Sequence, residues 1–217
     1  MIRIEHSLYR SLGRGEFDYS LAANALIRAG YAAPAKKIHD LMKAGVLVGV
    51  KKGLYVLSKD YIPTPICKEA LANLIYGPSC ISLEYALAYY GLIPERVEVV
   101  TSVTPKRDKR FETPLGVFTY RYLAKKKYPE GINLIWVDPQ HPVLMASAEK
   151  ALCDYVLCNK ISHLESSVDA QKFLVEDLRM NPENLKHFDL VALHRLNRNY
   201  KSKGIDTILA FLEGIRG

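Results

Sequence analysis

The chain has 217 residues, 49% of them hydrophobic and 24% charged, the proportions of a soluble globular protein with one large domain or two small ones. No uncharged apolar run approaches the roughly 18 residues of a membrane span, and the first ten residues carry charges where a secretory leader is apolar, so a cytoplasmic protein with no membrane partner is expected. The formal net charge of +7 is uneven, with ten Lys or Arg against five Asp or Glu in residues 1–60 and 20 against 18 in the rest, which points to a polyanion meeting the N-terminal part.

In chain order, residues 4–12 read as a first helix, with Ile4, Leu8 and Leu12 on one stripe, ended by Gly13 and Gly15. Phe17 follows as a short strand or core plug. Asp18 or Ser20 can cap a second helix running through Arg28, whose Leu21, Ala22, Ala25, Leu26 and Ala29 face inward. Pro34 suits the first position of a helix, where its missing N–H costs nothing, and Gly45 suits the end, giving a third helix over 34–44. At about 100° per residue, Ile38, Leu41 and Met42 fall on one side, while Lys36, His39, Asp40 and Lys43 gather on the other. Residues 46–50 and 54–57 then form a hairpin around a Lys51-Lys52-Gly53 turn. Helix, turn, helix and basic-tipped hairpin together predict a winged helix-turn-helix over residues 1–61. Lys36, His39 and Lys43 would face the DNA major groove, while Lys37, Lys51 and Lys52 would hold phosphates.

Residues 58–65 carry two prolines and several polar residues, the composition of a linker, so a second domain is expected over 62–217. Helices are predicted over 66–76 and from Ser82 to Gly91. Tyr85, Tyr89 and Tyr90 on the latter suit packing better than base stacking, because nothing basic accompanies them. Strands over 97–102, 116–123 and 132–137 follow one another without crossover helices, predicting a small mixed or antiparallel sheet. Helical patterns over 147–157, 168–180, 190–200 and 205–215 close the chain. The expected class is therefore α+β, a winged helix-turn-helix followed by a mixed α/β domain with a small sheet and a helical tail.

No Gly-rich phosphate loop, GxSxG or HExxH pattern is present. Cys67, Cys80, Cys153 and Cys158 show no CxxC spacing, so buried free thiols are expected and neither a metal nor a cofactor is. Asp138, Glu149 and Asp154 could be imagined as a nuclease metal site, but Glu149 sits in the first turn of a helix capped by Ser147, and metal-assisted hydrolysis needs carboxylates that converge. A second basic cluster spans 104–127, with Lys106, Arg107, Lys109, Arg110, Arg121, Lys125, Lys126 and Lys127 against Asp108 and Glu112. It suits DNA beside the wing, an acidic or nucleotide-bearing partner, or the solvated rim of a sheet.

Three blocks in order, KIHDLMKAGVLVGVKKGLYVL at 37–57, GPSCISLEYALAYYGLIPERVEVVTSVTPKRDKRFETPLGVFTYRYL at 77–123 and ASAEKALCDYVL at 146–157, resemble the AbiEi-type antitoxins of type IV toxin–antitoxin systems. The resemblance covers most of residues 17–160. It implies a non-enzymatic transcriptional autorepressor that binds its own operator, expected as inverted repeats, and whose second domain counteracts a nucleotidyltransferase-like toxin. Lys106, Arg107 and Arg110, in the second basic cluster, have the electrostatic reason to meet such a partner and are the expected toxin-neutralising or partner surface. The alternatives are a freestanding winged-helix transcription factor with a ligand- or partner-sensing second domain and, further off, a nuclease.

Overall fold

Asp18 starts the first described helix by accepting the Leu21 N–H at 2.8 Å, one of the donors that a helix leaves unpaired at its beginning. The computed structural model describes Tyr9, residues 13–62 and residues 65–216; the helix expected over 4–12 lies outside them apart from Tyr9. Strand β1 (Glu16–Asp18) leads into α1 (Tyr19–Arg28), and after Gly30, at φ +89°, α2 spans Pro34–Lys43. The hairpin of β2 (Leu47–Lys51) and β3 (Leu54–Leu57) reverses at Gly53, whose φ of +79° is disfavoured for other residues. β1 pairs with the free side of β3, giving a three-stranded antiparallel sheet in the order β1-β3-β2. Phe17, Ala22, Ala25, Leu26, Ile38, Leu41, Leu47 and Leu57 form its core with the two helices. Alanines at the α1 contact keep the side chains between the helices small.

A short 3₁₀ turn (Lys59–Tyr61) leads to α3 (Lys68–Ile75), β4 (Cys80–Ile81) and α4 (Leu83–Tyr89). Strands β5 (Val100–Thr104), β6 (Lys109–Thr113), β7 (Gly116–Tyr122), β8 (Ile132–Asp138) and β9 (His141–Ala146) follow. With β4 they make a six-stranded sheet in the order β6-β7-β5-β4-β9-β8. β5–β7 and β4–β9 are parallel and the other pairs antiparallel, so the fold is α+β with a mixed sheet. Burial alternates along β7: Phe118 and Tyr120 are buried, and the Tyr120 hydroxyl donates to the Ala72 carbonyl at 2.7 Å.

α5 (Ala148–Cys158), capped by Ser147, begins the helical remainder with α6 (Ser167–Gln171), a π-helical stretch (Lys172–Asp177), α7 (Pro182–Leu185), α8 (Leu190–Tyr200) and α9 (Lys203–Gly214). The single helix expected over 168–180 is thus a short helix widened into a π stretch, which ends near Arg179 at φ +50°. Among the described residues no helix is long and apolar enough to cross a membrane.

One ion pair sits at the centre of the larger core. Lys150 and Asp154, one turn apart on α5, have 0% exposed side chains and an N–O separation of 3.3 Å. Asp154 also accepts from Ser82 Oγ at 2.7 Å and from the Tyr200 hydroxyl, while the Lys150 ammonium reaches Tyr200 at 2.9 Å and the Lys127 carbonyl at 3.4 Å. Burial pushes the Asp154 carboxyl up, against the pull of Lys150 and the two hydroxyls. A buried charge is tolerable only with such partners, and here they pin α4, α5 and α8 together.

Candidate nucleic-acid interface

The sequence pattern divides α2, and the burial of its side chains follows that division in all but one case. Ile38 and Leu41 are 3% and 4% exposed, whereas Lys36, His39, Asp40 and Lys43 are exposed. Met42, expected inside, is 40% exposed and lies at the margin of the buried face, its methyl group over Gly49 of β2. Lys37 is half-buried, with its ammonium 5.1 Å from the centre of the Tyr31 ring. Pro34 fills the first turn without a side-chain cap, and Lys43 stands in the last turn, where a cation suits the helix dipole.

At the hairpin tip the two lysines part company. Lys52 is exposed. Lys51 turns inward, and its ammonium donates to the Ile75 carbonyl at the end of α3. Burial, then repulsion from Lys106, lowers the Lys51 pKa. The expected equivalence of Lys51 and Lys52 as phosphate ligands is therefore replaced by one outward cation and one cation tied to the second half of the chain. Beneath the tip, Val50, Leu54 and Val56 pack into the larger core with Leu71, Ile75 and Tyr120. The small sheet thus shares side chains with the large one.

The second basic cluster is partly used up by contacts within the fold. Lys106 donates to the Gly77 carbonyl at 2.5 Å and lies 5.3 Å from the centre of the Tyr76 ring. Arg110 pairs with Glu112 at 3.1 Å. Arg121 meets Asp108 at 3.5 Å and the Cys158 carbonyl at 2.6 Å. Arg107, Lys109, Lys125 and Lys126 are exposed. The proximity of Lys106 to Lys51 makes the two basic clusters neighbours in space, which nothing in their separation along the chain indicates.

The three carboxylates considered for metal chemistry serve three separate structures. Asp138 lies 2.7 Å from the His141 ring, Glu149 accepts the Asp189 N–H at 3.0 Å, and Asp154 is the buried partner of Lys150. Cys67, Cys80 and Cys153 are buried and Cys158 half-buried, all as free thiols. Burial pushes the Cys67 and Cys158 thiols up to about 12 and raises the other two as well. Tyr85 and Tyr90 pack as expected, their hydroxyls bonded to Glu69 and to the Ala146 carbonyl, while Tyr89 is 45% exposed.

Sequence alone does not indicate how the two halves meet. Glu16 of β1 is buried, accepts the Cys67 N–H at 3.1 Å and faces His141 Nε2 at 3.0 Å. Because successive strand residues point to opposite faces, Phe17 fills the helical core and Glu16 turns to the large sheet. No family model and no curated protein matches the chain.

Proposed function

We propose that the chain is a DNA-binding transcriptional autorepressor whose second half counteracts a toxin of nucleotidyltransferase type, as in the AbiEi-type antitoxins it resembles. What carries the DNA part is the split of α2: Ile38 and Leu41 anchor it while Lys36, His39 and Lys43 point to solvent, directly before a hairpin with Lys52 at its tip. Such a split suits a recognition helix and wing of a winged helix-turn-helix. Lys36, His39 and Lys43 read the major groove of an inverted-repeat operator. Lys37 and Lys52 hold phosphates, and Lys51 fixes the wing to the rest of the chain.

The antitoxin part rests on the resemblance together with the exposed cations Arg107 and Arg110 beside Lys106, a surface suited to an acidic or nucleotide-bearing partner. The test uses the full chain and a duplex from its own promoter. Lys36→Ala or Lys43→Ala is expected to cost ~1–3 kcal/mol on that duplex and far less on random DNA if each reads a base edge. Equal losses on both duplexes make them phosphate contacts, and no binding by the wild type removes the DNA function. A growth assay with the nucleotidyltransferase-like gene next to this one tests the antitoxin part; without such a neighbour, the freestanding transcription factor is the better account.

A further inference from the structure

Where β1, the start of α3 and the β8–β9 turn meet, Cys67, Asp138 and His141 bring a thiol sulfur, a carboxylate oxygen and a ring nitrogen within 4.8 Å of one another. Thiolate, imidazole and carboxylate are the donors that Zn²⁺ takes in proteins, with bonds of about 2.0–2.3 Å, so neighbouring donors of a tetrahedral site lie roughly 3.3–3.6 Å apart. Glu69 Oε2 already stands 3.5 Å from Cys67 Sγ. His141 Nδ1 is 2.7 Å from Asp138 Oδ2, and opening that pair by under ~1 Å reaches the zinc spacing. The other ring nitrogen, Nε2, faces the Glu16 carboxylate at 3.0 Å. A carboxylate behind a histidine fixes the tautomer and orientation of a ligating imidazole.

Two further features suit a bound cation. A groove of about 470 Å³, lined by Cys67, Glu69, Asp138 and Gln140 among others, opens Cys67, Glu69 and Asp138 to solvent beside the buried His141 and gives an ion a route in. In a chain of net +7, three carboxylates, those of Glu16, Glu69 and Asp138, gather around this one place. We propose that Cys67, Asp138 and His141, completed by Glu69 or by water from the groove, bind one Zn²⁺ that displaces the Cys67 thiol proton to solvent and ties the start of α3 to the β8–β9 turn, with Glu16 of β1 behind His141. The missing CxxC spacing is no obstacle, since the ligands come from segments about 70 residues apart in the chain, brought together by the fold.

Co²⁺ alone is the probe, titrated into the full chain after treatment with a chelator. The expected result is saturation at one Co²⁺ per chain, a thiolate-to-cobalt charge-transfer band, visible bands of tetrahedral intensity, and loss of all of them when Zn²⁺ is added. Cys67→Ser removes the charge-transfer band, whereas Cys153→Ser keeps it. Glu16→Gln keeps the band but weakens cobalt binding by about 10–100-fold, as loss of an orienting carboxylate does. Asp138→Asn, at a partly exposed side chain, guards against misfolding of the cysteine variant and also weakens binding. No thiolate band in the wild type, a band unchanged in Cys67→Ser, or wild-type affinity in Asp138→Asn overturns the proposal.

Discussion

Lys51, at the tip of the first hairpin, gives its ammonium to the carbonyl of Ile75, the last residue of α3, while its neighbour Lys52 faces solvent. A side chain already paired inside the fold has little to offer a phosphate, so the two lysines should separate in a binding experiment. Lys52→Ala is expected to flatten the plot of log K against log [salt] by roughly 0.9, the value of one phosphate contact on duplex DNA. Lys51→Ala should leave that slope nearly unchanged and lower the melting temperature instead, because Ile75 loses its donor. Anisotropy titrations over a salt series, with a melt on each variant, decide this; equal flattening by both substitutions would return Lys51 to the DNA surface.

The two faces of α2 make a second prediction. Ile38→Ala or Leu41→Ala removes a side chain buried between α1, α2 and the small sheet, and should destabilise by about 2–5 kcal/mol. Met42→Ala should cost less, since that side chain is 40% exposed. Urea melts measure all three. If Met42→Ala proves as costly as Leu41→Ala, the methyl group over Gly49 contributes far more than its exposure indicates.

The Lys150–Asp154 pair predicts an asymmetry. Replacing Lys150 by Met leaves Asp154 buried with only hydroxyl donors, and replacing Asp154 by Leu leaves a buried ammonium, so each single change should cost about 3–5 kcal/mol. The double replacement removes both charges and should recover most of that loss, giving a coupling of several kcal/mol in a double-mutant cycle. Additive losses would mean that the two charges do not depend on each other.

How much of this was legible follows from distance along the chain. The cap at Ser147, the hairpin turn, α8 and, apart from Met42, the faces of α2 rest on neighbours within a few residues and are legible in the sequence pattern, which leaves the first cap open between Asp18 and Ser20. Strands β4, β6 and β9 escaped, since β4 has two residues, β6 reads KRFET and β9 carries Pro142. What makes them strands is pairing with partners elsewhere in the chain. Lys150 and Asp154 at i and i+4 resemble an ordinary surface pair, and only the burial of α5 distinguishes them. Glu16 and His141, 125 residues apart, share no local signal at all.

The last prediction separates the two proposed activities without cutting the chain. Removing residues 1–61 would strip Val50, Leu54 and Val56 from the larger core and Glu16 from its partner, so a truncated second half is expected to lose stability as well as DNA binding. Surface substitutions avoid that confusion. Lys36→Glu with Lys43→Glu, both at exposed positions, should abolish repression of the native promoter yet still rescue growth from the proposed nucleotidyltransferase-type toxin. Arg107→Glu with Arg110→Glu should do the reverse; Lys106 is left in place because it holds the Gly77 carbonyl. A promoter reporter and a growth assay read the two outputs, and circular dichroism on each purified variant checks the fold. Full rescue by a folded Arg107/Arg110 variant would make that loop a solvated rim. Loss of both outputs in both folded variants would mean that one continuous basic surface, joined where Lys51 and Lys106 approach, serves DNA and partner alike.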